Sequence, residues 1–177
     1  LRSMDHKTTS LPFFYFDPER KQLHIYSTFI QDKITLVKEK LYFTAGCKFE
    51  HNAYTGMEYS PSARLTWTLK QTNTIWGSVS RAVRTPSRLE EDFHLLLMAN
   101  FPIIEGTPLF KPETVLAYEL GWRMHPIEKL SFAISTFYNE YENLRSAEPG
   151  KIAATYPITM GNGVEGHSYG VDCAVNP

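Results

Sequence analysis

Leu41-Tyr42-Phe43-Thr44-Ala45-Gly46-Cys47-Lys48-Phe49-Glu50 is the stretch on which the fold turns. Its odd positions, Leu41, Phe43, Ala45, Cys47 and Phe49, are apolar. Its even positions, Tyr42, Thr44, Gly46, Lys48 and Glu50, are mostly polar. Successive side chains of a strand point to opposite faces, so this spacing predicts a strand with one apolar and one polar side. The arrangement returns three times further along the chain. Tyr59, Pro61, Ala63, Leu65, Trp67 and Leu69 alternate with Ser60, Ser62, Arg64, Thr66 and Thr68. Leu116, Tyr118, Leu120, Trp122 and Met124 alternate with Ala117, Glu119, Gly121 and Arg123. Leu130, Phe132, Ile134, Thr136 and Tyr138 alternate with Ser131, Ala133, Ser135, Phe137 and Asn139.

Less regular segments complete a set of about eight strands, at 22–37, 40–53, 58–69, 73–83, 114–125, 129–142, 151–161 and 167–175. Each is roughly ten residues or more, longer than soluble strands usually are and suited to a tilted membrane crossing. Helical spacing shows only around Arg88 to Met98, where Leu89, Phe93, Leu96 and Leu97 could line one face; Leu95 to Met98 reads equally well as a short strand. The connections alternate in kind. Short ones fall near 37–40, 70–73 and 126–129, and longer or turn-rich ones near 52–57, 84–113 and 143–150. In an up-and-down meander this alternation puts short turns at one rim and long loops at the other, as bacterial outer-membrane barrels do. The fold predicted is all-β: an antiparallel up-and-down meander forming part of a transmembrane β-barrel. Trp67 and Trp76 bracket one short turn and Trp122 precedes another, which suits an interfacial aromatic belt. Trp76 fits least well, because its face also carries Ser78 and Ser80.

Composition agrees. The 177 residues carry 18 Lys plus Arg against 19 Asp plus Glu, a formal charge of -1, and 14% are aromatic. Nucleic-acid binders need excess cations to displace phosphate counterions, so no nucleic-acid partner is expected. The longest stretch free of Asp, Glu, Lys and Arg in the apolar middle, Phe93 to Ile104, is far too short for a membrane helix. That leaves a strand-built membrane protein open. Leu1 to Ser10 has no signal-peptide core. Cys47 and Cys173, each on the apolar set of its strand, read as small inert hydrophobes.

Chemical motifs fail their context tests. Gly161, Gly163 and Gly166 match a dinucleotide fingerprint, but too little chain follows for the helix and the acidic residue that it requires. Gly166, Ser168 and Gly170 match a nucleophile elbow, but no His follows Ser168. Both read instead as a glycine-rich hairpin entering a last strand. The six His are scattered without HExxH or CxxC companions, and Glu50 and His51, adjacent on a strand, point to opposite faces. No catalytic role, cofactor or metal is expected, and the chain is not read as an enzyme. Charged residues on the polar faces, Lys48, Glu50, Arg64, Glu119 and Arg123, read as a wet wall. The 84–113 loop is the segment to watch, since so long a connection in a tight meander usually binds or gates. Its candidate ligand-binding residues are Arg84, Arg88 and His94, alongside Glu90, Glu91, Asp92 and the apolar Leu95 to Leu97.

Several runs together resemble the barrel region of TonB-dependent outer-membrane receptors. They are Ser80-Arg81-Ala82-Val83-Arg84-Thr85-Pro86-Ser87-Arg88, Lys111-Pro112-Glu113-Thr114, Tyr118-Glu119-Leu120-Gly121-Trp122-Arg123 and Phe29-Ile30-Gln31-Asp32. Phe137-Tyr138-Asn139 with Tyr141, Gly161-Asn162 and Tyr169-Gly170-Val171-Asp172 extend the resemblance to nearly the whole chain. Lys33 and Asp172 stand where that family usually has Glu. The resemblance implies a bacterial outer-membrane transporter importing a scarce nutrient such as a ferric siderophore or cobalamin. Its partners would be outer-membrane lipid, a small-molecule ligand and the TonB protein, reached through a plug region. A family barrel has about 22 strands around its plug, so the chain is expected to be a piece of one. No plug domain or TonB box is recognisable, and Asn176-Pro177 replaces the usual terminal aromatic. Two other architectures fit the alternation: a soluble β-sandwich binding module, for carbohydrate for example, with its apolar faces packed together, and a complete small outer-membrane barrel.

Overall fold

A period-two pattern fixes which face each residue takes, and register then decides whether the apolar faces of neighbouring strands coincide. In the computed structural model they coincide across the sheet. Described are residues 1–70, 72–98, 101–127, 130–150 and 156–176. The elements in chain order are β1 (Arg2–Lys7), β2 (Phe14–Phe16), β3 (Arg20–Val37), β4 (Leu41–Asn52), β5 (Gly56–Lys70) and β6 (Asn73–Arg84). They continue with α1 (Arg88–Glu91), β7 (Phe93–Met98), β8 (Phe101–Glu105), β9 (Glu113–Ile127), β10 (Leu130–Glu148) and β11 (Ile158–Asn176). One open sheet runs β1-β3-β4-β5-β6-β9-β10-β11-β8-β7-β2. Its pairings are antiparallel except β8 with β11, which is parallel.

Rows of paired residues cross the wall. One apolar row joins Phe43, Leu65, Gly77, Leu120, Thr136 and Val171, and the row nearer the short turns joins Leu41, Trp67, Ile75, Trp122, Ile134 and Cys173. On the opposite face, Thr44, Arg64, Ser78, Glu119, Phe137 and Gly170 form the corresponding row. The apolar face stays open: Leu120 is 59% and Val171 62% exposed, and among the described residues the buried hydrophobics are Leu23 and Phe110. A sandwich would bury these rows against each other, so the soluble-module alternative does not describe this sheet. An apolar outer band over a polar inner wall is the surface a bilayer covers.

Where strands are expected at 22–37, 40–53, 58–69, 73–83 and 114–125 the structure has β3, β4, β5, β6 and β9, and where one is expected at 129–142 it has β10. Three expectations are corrected. The strands placed at 151–161 and 167–175 are one from Ile158 onward, because β11 pairs along β10 from Glu148↔Thr159 to Ser131↔Asn176; residues 151–155 lie outside the described set. Gly161, Gly163 and Gly166 therefore sit within an extended strand and form no hairpin. The amino-terminal region, where no strand is expected, supplies β1, which pairs with β3 from Arg2↔Ile25 to Lys7↔Arg20. The 84–113 connection carries the short α1 and two strands of its own.

The 52–57 connection is tight. The Asn52 side-chain oxygen accepts from the Tyr54 and Thr55 amides at 2.9 Å each, and Gly56 takes φ 74° to enter β5. Trp67 and Trp122 lie on the outer face near the short turns, whereas Trp76, opposite Thr66 and Gly121, lies on the inner face.

Candidate functional site

The 84–113 connection, hereafter the strap, leaves β6 at the rim opposite the short turns. Ser87 starts α1 with a reciprocal cap: its hydroxyl accepts from the Leu89 amide at 3.3 Å, and the Glu90 carboxylate accepts from the Ser87 amide at 2.8 Å. The Ser87 hydroxyl also donates to Glu90. Past the helix, Gly106 donates to the Phe93 carbonyl and Thr107 to the Glu90 carbonyl, both at 2.7 Å. A Cβ on Gly106 would lie 2.7 Å from the Glu91 carbonyl carbon, so only glycine lets the two backbones come so near.

By alternation Lys21 and Leu23 share the inner face, and there the strap is tied down. Lys21 Nζ lies 2.8 Å from the Asp92 carboxylate and 4.0 Å from that of Glu91. The Asp17 amide donates to the Asp92 carbonyl at 2.9 Å, and the Leu96 amide to the Phe13 carbonyl at 2.7 Å. β2 pairs with β7, joining Phe14, Tyr15 and Phe16 to Leu95, His94 and Phe93. A cavity of about 320 Å³ remains between strap and wall, lined by Met4, Phe16, Leu23, Tyr54 and Leu89 among others.

The far end is tied to β9, β10 and β11. Arg84 reaches Glu113 at 2.6 Å and Glu90 at 3.1 Å. Arg145 donates through its backbone to Glu113 at 2.8 Å, and its guanidinium lies 3.5 Å from Glu90. The Asn162 side chain accepts from the Lys111 amide at 2.7 Å, and it donates to the carbonyls of Lys111 at 3.0 Å and Asn143 at 2.6 Å. β8 adds a parallel pairing, Ile104↔Ile158 and Thr159↔Glu105.

The three candidate residues meet different fates. Arg88 is buried at 6% exposure, lies 5.0 Å over the Phe16 ring and donates to Asp92 at 3.1 Å. Its other nitrogens donate to the carbonyls of Pro18 and Glu19. Arg84 is shared between two carboxylates yet half-exposed. His94 stacks on Tyr15 at 4.8 Å, with Nδ1 3.8 Å from Glu105. The structure places Arg84 with Glu90, Glu113 and Arg145, and Arg88 with Asp92 and Lys21, in two separate groups of ion pairs, and leaves His94 outside both. Sequence reasoning missed Lys21, Glu113, Arg145 and Asn162 as strap anchors. Lys111-Pro112-Glu113-Thr114 and Gly161-Asn162 carried a signal for two of them, whereas nothing local distinguishes Lys21 or Arg145.

Burial sets the charge states. It pushes Glu90 up, but the Ser87 hydroxyl and amide and the Arg84 guanidinium more than offset this and hold the carboxyl below its ordinary value. Burial pushes Glu91 up to about 7; Lys21 opposes, and Asp92 and Glu90 reinforce the rise. Burial, then Asp92 and Glu91, push the Tyr54 phenol up as well.

A sheet apolar outside and polar inside, with a long strap tied across its inner face at one rim, is a wall segment of an outer-membrane receptor barrel. The chain belongs to the family described as TonB dependent receptor-like, beta-barrel, whose profile matches residues 4–175. Its place is the bacterial outer membrane. It is 24% identical over 137 residues to the probable TonB-dependent siderophore receptor PirA of Acinetobacter baumannii, covering 72% of this chain and 18% of that protein. It superposes on the siderophore receptor PirA of Pseudomonas aeruginosa with a TM-score of 0.72 at 18% identity, over 88% of this chain and 31% of that one. The ferric enterobactin receptor PfeA of Pseudomonas aeruginosa gives 0.74 at 20% identity, over 89% and 25%. The chain thus spans less than a third of each.

Proposed function

We propose that this chain supplies wall and strap to a receptor that imports a ferric siderophore across the outer membrane. The observation that carries the reading is the strap itself. Its two ends are anchored on opposite parts of the wall, so it lies over the inner face where a passing solute meets it. The relatives named above are siderophore and enterobactin receptors, which favours a ferric siderophore over cobalamin as cargo. They are receptors rather than enzymes, in keeping with a non-catalytic wall.

Arg84 and His94 keep exposed surface from which to touch an anionic chelate, while Arg88 spends its donors holding the strap. Lipid covers the outer rows, and energy would reach the receptor from the TonB protein through a plug region. The test is uptake by iron-starved cells expressing the protein, offered radiolabelled ferric enterobactin or cyanocobalamin. Accumulation of iron but not cobalamin is expected and should fall in Arg84→Ala and His94→Ala. Cobalamin uptake alone, or uptake of neither, would refute the reading.

A further inference from the structure

Lys21 is the cation of β3 at the strap, and two carboxylates converge on it. Asp92 takes the close contact at 2.8 Å; Glu91 stands off at 4.0 Å, with its second oxygen buried and without a hydrogen-bond partner among the described residues. The groups facing Glu91 come from three sides. β3 presents Lys21, whose Nζ also lies 4.4 Å over the Tyr54 ring. The β4–β5 turn presents Tyr54, whose hydroxyl is likewise buried and unpartnered among the described residues. α1 and its cap contribute Glu90, Asp92 and Arg88, and Arg88 is committed to Asp92. Arg84 of β6 and Arg145 of β10 both reach Glu90, on the other side of the helix. On the strap's own hairpin, His94 and Glu105 pair with each other. Asp92 therefore holds both Arg88 and Lys21 closely, and Glu91 is left without a close cation of its own in a partly dry site.

We infer that Glu91 is a proton-operated latch: uncharged, it lets the strap seat on β3, and on losing its proton it loosens the strap. A neutral Glu91 is buried at little cost and leaves Lys21 wholly to Asp92. An ionised Glu91 adds a like charge beside Asp92 and Glu90 without gaining a close cation of its own. The carboxyl is pushed up from its ordinary 4.5 to about 7. A group raised in this way favours the seated strap in acid, and that contribution is lost as pH rises from the unseated value through the seated one. The window lies between mildly acidic and neutral medium. The inference stands apart from the choice of cargo, because it concerns only how the strap is held.

Electron–electron distance measurement tests it, with spin labels replacing Leu89 on α1 and Met57 on β5, both exposed. The background is Cys47→Ser with Cys173→Ser, in outer membranes of cells expressing the protein. At about pH 5.5 a single narrow distance is expected, and at about pH 8.5 a second, longer component. Glu91→Gln should give the narrow distance at both. Lys21→Gln removes the opposing cation, so its transition should move to higher pH, and this arm remains informative if the Gln variant misassembles. A distance that does not respond to pH, a Glu91→Gln variant that responds like the parent, or a Lys21→Gln transition that stays put or moves to lower pH would overturn the latch.

Discussion

Trp76 and Gly121 face each other across the β6–β9 ladder on the inner wall. The indole fills the glycine's side-chain space so closely that a Cβ there would lie 2.0 Å from Cζ2 of the ring. Phe137 and Gly170 repeat the relationship one row away on β10 and β11, where a Cβ would lie 2.6 Å from the ring. In both pairs an aromatic ring covers a glycine's bare backbone, which restores packing that the glycine lacks. Gly121→Leu is therefore expected to lower stability by about 1–3 kcal/mol through overpacking. Pairing it with Trp76→Ala should recover part of the loss. Urea unfolding of the lipid-reconstituted protein measures both, and simple additivity of the two changes would show that ring and glycine do not interact.

The outer rows predict what the side chains touch. Spin labels at Leu65 and Leu120 should be quenched by a lipid-soluble relaxant, and labels at Arg64 and Glu119 by a water-soluble one. Arg64 and Glu119 lie opposite Ser78 on the inner row, 3.7 Å from each other at their charged ends. Leu120→Arg should cost about 2–4 kcal/mol of stability in the bilayer, as a charge on the lipid-facing side near the midplane does.

Arg88 and Arg84 should separate on removal. Arg88→Ala leaves Asp92 buried with Lys21 as its remaining cation and frees two carbonyls, so strap docking should weaken by about 3–5 kcal/mol. Arg84→Ala removes a half-exposed partner and should cost about 1 kcal/mol or less. Limited proteolysis within 84–113 ranks them. Equal rates would mean that burial at Arg88 adds nothing.

Glu90 gives the opposite pH response to Glu91. Its carboxyl is held below the ordinary value, so its contribution is fully present above about 4.5 and is lost as the medium acidifies through the lower folded value. Protease sensitivity of the strap should therefore rise again in strong acid, and Glu90→Gln should abolish that rise. Acid sensitivity unchanged in the variant would place the effect elsewhere.

Asn162 makes three hydrogen bonds to backbone groups with one side chain. Asn162→Ala should release the Lys111 end of the strap at a cost of about 1–3 kcal/mol. It should leave the Lys21 end seated, seen as faster hydrogen exchange at Lys111 but not at Asp92. Equal acceleration at both ends would show that the strap moves as one unit.

How much of this was legible in the sequence depends on how local the cause is. Alternation from Leu41 onward marked the wall, because strand periodicity is written into adjacent residues. The same parity placed Trp76 among Ser78 and Ser80, hence on the inner face, against the reading of it as a belt residue. The glycines of 161–166 misled, since a residue that enables turns also permits extension when a long partner such as β10 is there to pair with it. β1 escaped because Arg2–Lys7 has no alternation of its own and becomes a strand through β3. The strap's anchors escaped for the same reason. Lys21 meets Asp92, and Asn162 meets Lys111, only after intervening strands have been laid side by side.

The parallel contact between Ile104 and Ile158 also orders events in time. β8 pairs locally with β7, but its second partner is not available until β9 and β10 have been made and β11 has emerged, so completion of the strap waits for β11. A contact between segments so far apart in the chain pays its loop-closure cost late. Until then the edge of β8 at Ile104 and Glu105 is open to other strands, which makes the half-built strap the point at which assembly is most exposed to error.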